Sequence, residues 1–114
     1  MKAKIINSKR LKENDYGRTR VIDILNTKGY PKVSIARVKR VSAAPPGYNP
    51  ISDVMNYVLK GRGKMTIGNK QYTVKEDDLI FIPKGTRYST PQRSTLLVVS
   101  SPRFQRDKQV YPKR

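Results

Sequence analysis

Histidine, cysteine and tryptophan are all absent from this 114-residue chain. Without cysteine there is no disulfide framework, no thiolate nucleophile and no zinc–thiolate site. That fits a reducing cytoplasm. Without histidine the commonest metal ligand and the commonest general base are missing as well. Apolar runs are short, and none approaches the 18 or more residues that would suggest a membrane span. Met1-Lys2-Ala3-Lys4 leads into no signal-like apolar region. The expectation is one soluble cytoplasmic domain. A chain of this size buries roughly two thirds of its unfolded surface, so it needs neither metal nor disulfide to fold.

Acidic residues are also scarce. Eight stand against 25 Lys and Arg, a formal net charge of +17. Such an excess fits either a solvated basic surface or an anionic partner: nucleic acid, a phosphorylated metabolite or another polyanion. The cations are spread along the chain, with no Lys/Arg run longer than two. A disordered basic arm is therefore not indicated.

What is present is a series of short β-type segments. Met1 to Ile6 reads as an edge strand, and the polar stretch Asn7 to Arg20 as loop, with Tyr16-Gly17 as a turn. Val21 to Leu25 and Val33 to Val41 read as strands. Three prolines and a glycine between Ala43 and Pro50 specify an extended loop. Val54 to Leu59 is a strand. Met65 to Ile67 and Lys70 to Val74 form a hairpin around Gly68-Asn69. Glu76-Asp77-Asp78 is an acidic turn, Leu79 to Ile82 a strand stopped by Pro83, and Thr95 to Ser100 a further strand. Pro102 to Arg114 reads as a mobile basic tail. No helical period persists for ten residues. The pattern predicts an all-β antiparallel sandwich or barrel.

Two motifs sharpen this. Tyr57-Val58-Leu59-Lys60-Gly61-Arg62-Gly63 is followed by Asp77-Asp78 and then Pro83-Lys84-Gly85-Thr86-Arg87-Tyr88. In this order the segments resemble the two motifs of the cupin superfamily. The resemblance covers residues 33–102 and implies a jelly-roll (double-stranded β-helix) barrel. Residues 1–32 would pack on or augment that core, and 103–114 would be a basic C-terminal tail.

In such motifs a metal is held by histidines and a glutamate. With Gly61 as the closing glycine, the glutamate position falls on Val54. The paired histidine positions fall at Tyr48 and Pro50, or at Gly47 and Asn49. The last histidine position falls on Tyr88. Val54 has no donor atom, and a tyrosine ligates only as a phenolate, which its ordinary pKa disfavours. Asn49 and Asp53 offer only weak oxygen donors. The resemblance thus implies a cupin barrel with no metal and no other cofactor.

Strand alternation from an inward Val54 places Asn56 and Val58 inside too. Tyr88 is expected to face the cavity and Tyr48 and Asn49 to sit over its mouth. Lys84 and Arg87 stand nearby as candidate anion ligands. The phase of Arg37 is left open. Three functions follow. The first is a binding module for a sugar-like or anionic small molecule. The second is a metal-independent sugar or nucleotide-sugar isomerase or epimerase, its base drawn from Asp53, Asp23, Glu13 or a lysine. The third is polyanion or nucleic-acid binding on the basic surface. Lys2 to Ile6 has the character to extend a partner's sheet, so a homodimer is expected.

Overall fold

The computed structural model of the chain describes residues 2–42 and 45–112. Met1 of the expected first strand, Ala43-Ala44 of the proline-rich loop and the last two residues of the tail lie outside the described residues. Nine strands run in chain order: β1 (Asn14–Asp15), β2 (Thr19–Leu25), β3 (Ser34–Arg40), β4 (Asp53–Lys60), β5 (Gly63–Ile67), β6 (Lys70–Val74), β7 (Leu79–Ile82), β8 (Tyr88–Ser89) and β9 (Ser94–Ser101). All pairings are antiparallel. They build a six-stranded sheet, ordered β1-β2-β3-β9-β4-β7, facing a three-stranded sheet, ordered β6-β5-β8. The jelly-roll barrel expected from the motifs is the fold observed.

Alternation along the strands decides what lies between the sheets. On β4 the even residues Val54, Asn56 and Val58 are buried, while Met55 and Tyr57 reach the outer face. β9 repeats the pattern with Ser94, Leu96 and Ser100. One end of the interior is closed by Val54, Val58, Met65, Val74, Ile80, Ile82 and Leu96. Each such side chain contributes about 1.5–3 kcal/mol by leaving water. Gly61 ends β4 with φ at +95°, and a Cβ there would meet the Arg93 carbonyl oxygen at 2.8 Å. Only glycine fits that crossing, which is why the closing position of the first motif is Gly.

Three segments differ from expectation. Residues 2–6 form no strand, and Ile5 is fully exposed. Asn14-Asp15, expected as loop, pairs with Arg20 and Val21. The tail is the largest difference. Residues 104–112 lie across the barrel rather than hanging from it. The backbone N–H and C=O of Val110 pair with those of Tyr48, at 3.0 and 2.9 Å. Gly47 in turn pairs with Tyr88. A strap is thereby joined to the three-stranded sheet through residues 47 and 48.

Candidate functional site

The strap encloses a cavity of about 370 Å³ against the inner face of the larger sheet. Its apolar wall is Val21 of β2, Ala36 and Val38 of β3, and Leu96 and Val98 of β9. The facing wall is Tyr88, Thr90 and the strap residues Phe104, Gln109 and Tyr111. Small residues at Ser34, Ala36 and Ser100 leave the volume that larger side chains fill in the adjoining core.

Polar groups sit at fixed points in this space. Asn56 and Ser100 are each 1% exposed, and neither Asn56 Nδ2 nor Ser100 Oγ has a hydrogen-bond partner. Gln109 Oε1 is likewise unpartnered. Buried polar groups are ordinarily paired, because each unpaired one costs about 1–3 kcal/mol. Ser34 is different. Its Oγ accepts the Phe104 N–H at 2.8 Å and so anchors the strap.

Cations ring the cavity. Arg40 Nε donates to Thr90 Oγ1 at 2.8 Å, and its terminal nitrogen donates to Thr19 Oγ1 at 2.7 Å. Neither partner is charged. Burial therefore lowers the Arg40 pKa from the usual value, and the neighbouring Arg18 works in the same direction, against Tyr111 and Tyr88. The Arg106 guanidinium lies 3.7 Å above the centre of the Tyr16 ring, a cation–π contact. Asp23 is the one carboxylate on the lining, among Arg18, Arg40 and Arg106. The Tyr88 pKa is raised, first by burial and then by Tyr111. A hydrogen bond from Gln109 and the Arg40 charge oppose the rise. Tyr88 is thus a neutral phenol, able to donate a proton or a hydrogen bond.

Of the residues singled out from sequence, Asn56, Tyr88 and the base candidate Asp23 meet in this cavity. The others stand elsewhere. Val54 and Val58 face inward as expected, but they pack in the apolar cluster. Asn49 is buried and clamps its own loop, with Oδ1 accepting the N–H of Ile51 at 2.9 Å and of Ser52 at 2.8 Å. Tyr48 contributes its backbone to the strap pairing and is absent from the cavity lining. Lys84 and Arg87 are exposed, and neither lines the cavity. The loop that carries them is fixed by two of its backbone donors, the Lys84 N–H to the Asp53 carboxylate Oδ1 at 3.0 Å and the Gly85 N–H to the Asn49 carbonyl at 2.7 Å. Arg37 faces outward and is exposed. The arginines of the lining, the two serines and the strap aromatics were not anticipated. Their available signal was the Ser34/Ala36/Val38/Arg40 alternation and the aromatics Phe104 and Tyr111 within an otherwise polar tail.

The metal of the cupin motifs does not fit these residues. Val54, at the glutamate position, is 2% exposed among aliphatic side chains. Asn49 spends its oxygen on its own loop. Among the described residues no group of three His, Cys, Asp or Glu side chains could hold a metal ion.

An antiparallel jelly-roll barrel with a strap-covered, arginine-rimmed cavity defines the structural class. The Cupin_2 family model (cupin domain) matches residues 41–99, and the chain belongs to that family. An uncharacterized protein of Aquifex aeolicus is 30% identical over 91 residues, which are 77% of this chain and 75% of that one. Among solved structures, a variant of Streptomyces Pac13 with uridine superposes with a TM-score of 0.84 at 16% identity, over 99% of this chain and 93% of that one. Pac13 is a nucleoside dehydratase. A protein from Planctomyces limnophilus gives a TM-score of 0.86 at 15% identity, over 95% and 96% of the two chains. At these identities the structural likeness is one of fold.

Proposed function

We propose that the protein binds a small molecule that joins a sugar-like or nucleoside-like body to an anionic group, without a metal. The observation that carries this reading is the pair Asn56 Nδ2 and Ser100 Oγ, buried and unpartnered among the apolar residues of the cavity's inner wall. A ligand with hydroxyl or carbonyl groups would satisfy both. Tyr111, Phe104 and Tyr88 offer flat faces to a ring. Arg40 and Arg18 offer charge-assisted bonds to a phosphate or carboxylate, and Arg40 lacks an anionic hydrogen-bond partner. That a protein of the same fold is solved with uridine supports the scale and the class of ligand.

The test is calorimetric titration with uridine, uridine monophosphate and a hexose phosphate. Binding of the phosphorylated compounds is expected, with affinity falling roughly tenfold or more in Asn56→Ala, the loss of one hydrogen bond at a buried position. Arg40→Gln is expected to weaken the phosphates more than uridine itself. No heat with any of the three, in protein shown to be folded, counts against the reading.

A second reading, proton-transfer catalysis in the same cavity, is favoured by one observation. A phenol held neutral, Tyr88, and a carboxylate, Asp23, line one space, as a general acid and a general base would. It predicts turnover of a nucleoside or nucleotide sugar that is lost in both Tyr88→Phe and Asp23→Asn. Binding without turnover in the unaltered protein would leave the binding module alone.

A further inference from the structure

The outer face of the larger sheet carries a second concavity, of about 800 Å³, which meets the first only at Arg40. Strand register builds it. Arg20 of β2 lies opposite Lys39 of β3, Lys39 opposite Thr95 of β9, and Thr95 opposite Lys60 of β4. These four residues form one row across four strands. At the ordinary spacing between strands, the row is about 14 Å long. Arg37 stands two residues along β3 on the same face, and Arg93 enters from the turn before β9.

The charges in this groove are poorly compensated. Among the described residues the ion pair found is Arg20–Asp15 at 3.9 Å, so Arg37, Lys39, Lys60 and Arg93 have no carboxylate within ion-pair distance. Glu13 and Glu76 also line the groove, and Glu76 accepts the Gly61 N–H at 3.3 Å. Like charges side by side on a sheet destabilise it. Anions seated in the groove would reverse that cost.

We infer that this groove is a docking surface for single-stranded nucleic acid, held through its phosphates by Arg20, Arg37, Lys39, Lys60 and Arg93. The row of cations matches a chain of regularly spaced negative charges better than it matches one compact anion. A concave groove suits a flexible strand, which can follow it, more than a rigid duplex. The next row on the same face, Ile22–Arg37–Leu97–Tyr57, ends in an aromatic ring on which a base can stack. The inference does not depend on the ligand of the inner cavity.

Fluorescence anisotropy with a labelled oligonucleotide of about 15 nucleotides tests it, across a salt series. Micromolar binding is expected near 50 mM salt, with log K falling against log salt at a slope of roughly −3 for four to five neutralised phosphates. Two triple variants of equal net charge are compared. Arg37→Glu/Lys39→Glu/Lys60→Glu lies in the groove. Lys64→Glu/Lys70→Glu/Lys75→Glu lies on β5, β6 and the turn that follows. The groove variant should lose at least tenfold more affinity than the control. If the reversals unfold the protein, the corresponding glutamine triple should lower the slope by about 2. Equal losses in the two variants, a salt-insensitive interaction, no binding, or tighter binding of a duplex of the same length would each overturn the inference.

Discussion

Asn56 shows how a single residue can be costly to the empty protein. Its neighbours along the inner face of β4 are Val54 and Val58, both packed in the core, yet position 56 carries an amide whose nitrogen has no partner. Replacing a buried, unpaired polar group by an apolar one removes a desolvation cost of about 1–3 kcal/mol. Asn56→Leu is therefore expected to raise the melting temperature of the free protein while abolishing ligand binding, a trade typical of residues kept for function. A thermal melt and a titration on the same sample check it. Lower stability together with intact binding would mean that Asn56 is a structural amide. Tyr88 makes a parallel prediction in pH. Its pKa is raised in the folded state, so the unfolded phenol loses its proton first as pH climbs. The native state then binds more protons than the unfolded one, and stability declines as pH rises above the ordinary tyrosine value near 10. The contribution is fully present below that value. Tyr88→Phe should flatten the alkaline fall in melting temperature and leave the neutral range unaffected by titration.

Among the elements, β4, the β5–β6 hairpin, β7 and β9 were legible in the sequence because their information is local. Alternation, a Gly68-Asn69 turn and a proline after Ile82 are written within each segment. The strap was not legible, because nothing local marks it. Its composition is that of a mobile tail, and what orders it is pairing with residues more than 60 positions earlier. Val110 meets Tyr48, Phe104 meets Ser34, and Arg103 donates to Asn26 Oδ1 at 2.9 Å. The candidate site divides in the same way. Asn56 and Tyr88 follow from strand phase and motif. Arg40 does not, since cations at 37, 39 and 40 hide the phase of β3 until its pairing with β9 is known. Gly47 is the point at which strap and barrel press closest. A Cβ there would lie 2.8 Å from both the Tyr111 ring and the Val110 carbonyl oxygen. Deleting residues 103–114 is expected to leave a folded barrel, because the apolar cluster contains none of them. Loss of several hydrogen bonds at about 1 kcal/mol each should lower the melting temperature by roughly 10 °C or more. A hydrophobic dye should bind the newly opened wall. Gly47→Ala should give a weaker form of both effects. A truncated protein with unchanged melting and no dye binding would show that the strap does not cover the cavity in solution.

At the scale of the whole molecule, charge is the dominant physical fact. A net +17 on 114 residues means that the folded state works against its own field. Attractive pairs do little to offset it, since among the described residues one ion pair is found, at the long distance of 3.9 Å between partly exposed side chains. Such a pair contributes at most about 1 kcal/mol. Unfolding moves the cations apart, so repulsion favours the unfolded chain. Salt screens that repulsion, with a Debye length of about 10 Å at 0.1 M and about 3 Å at 1 M. Raising sodium chloride from 10 mM to 0.5 M should therefore increase the melting temperature, whereas a protein held together by ion pairs would lose stability. Phosphate at equal ionic strength should stabilise further, because it can also occupy particular cationic sites, and saturation at low millimolar concentration would distinguish site binding from screening. Arg18 lines the inner cavity and not the outer groove, so Arg18→Gln should remove the saturating part if the inner cavity is its source. The Arg37/Lys39/Lys60 glutamine variant should remove it if the outer groove is. A melting temperature indifferent to both salts would mean that the positive charges are too dispersed to influence one another, and would weaken the case for an anionic partner at either place.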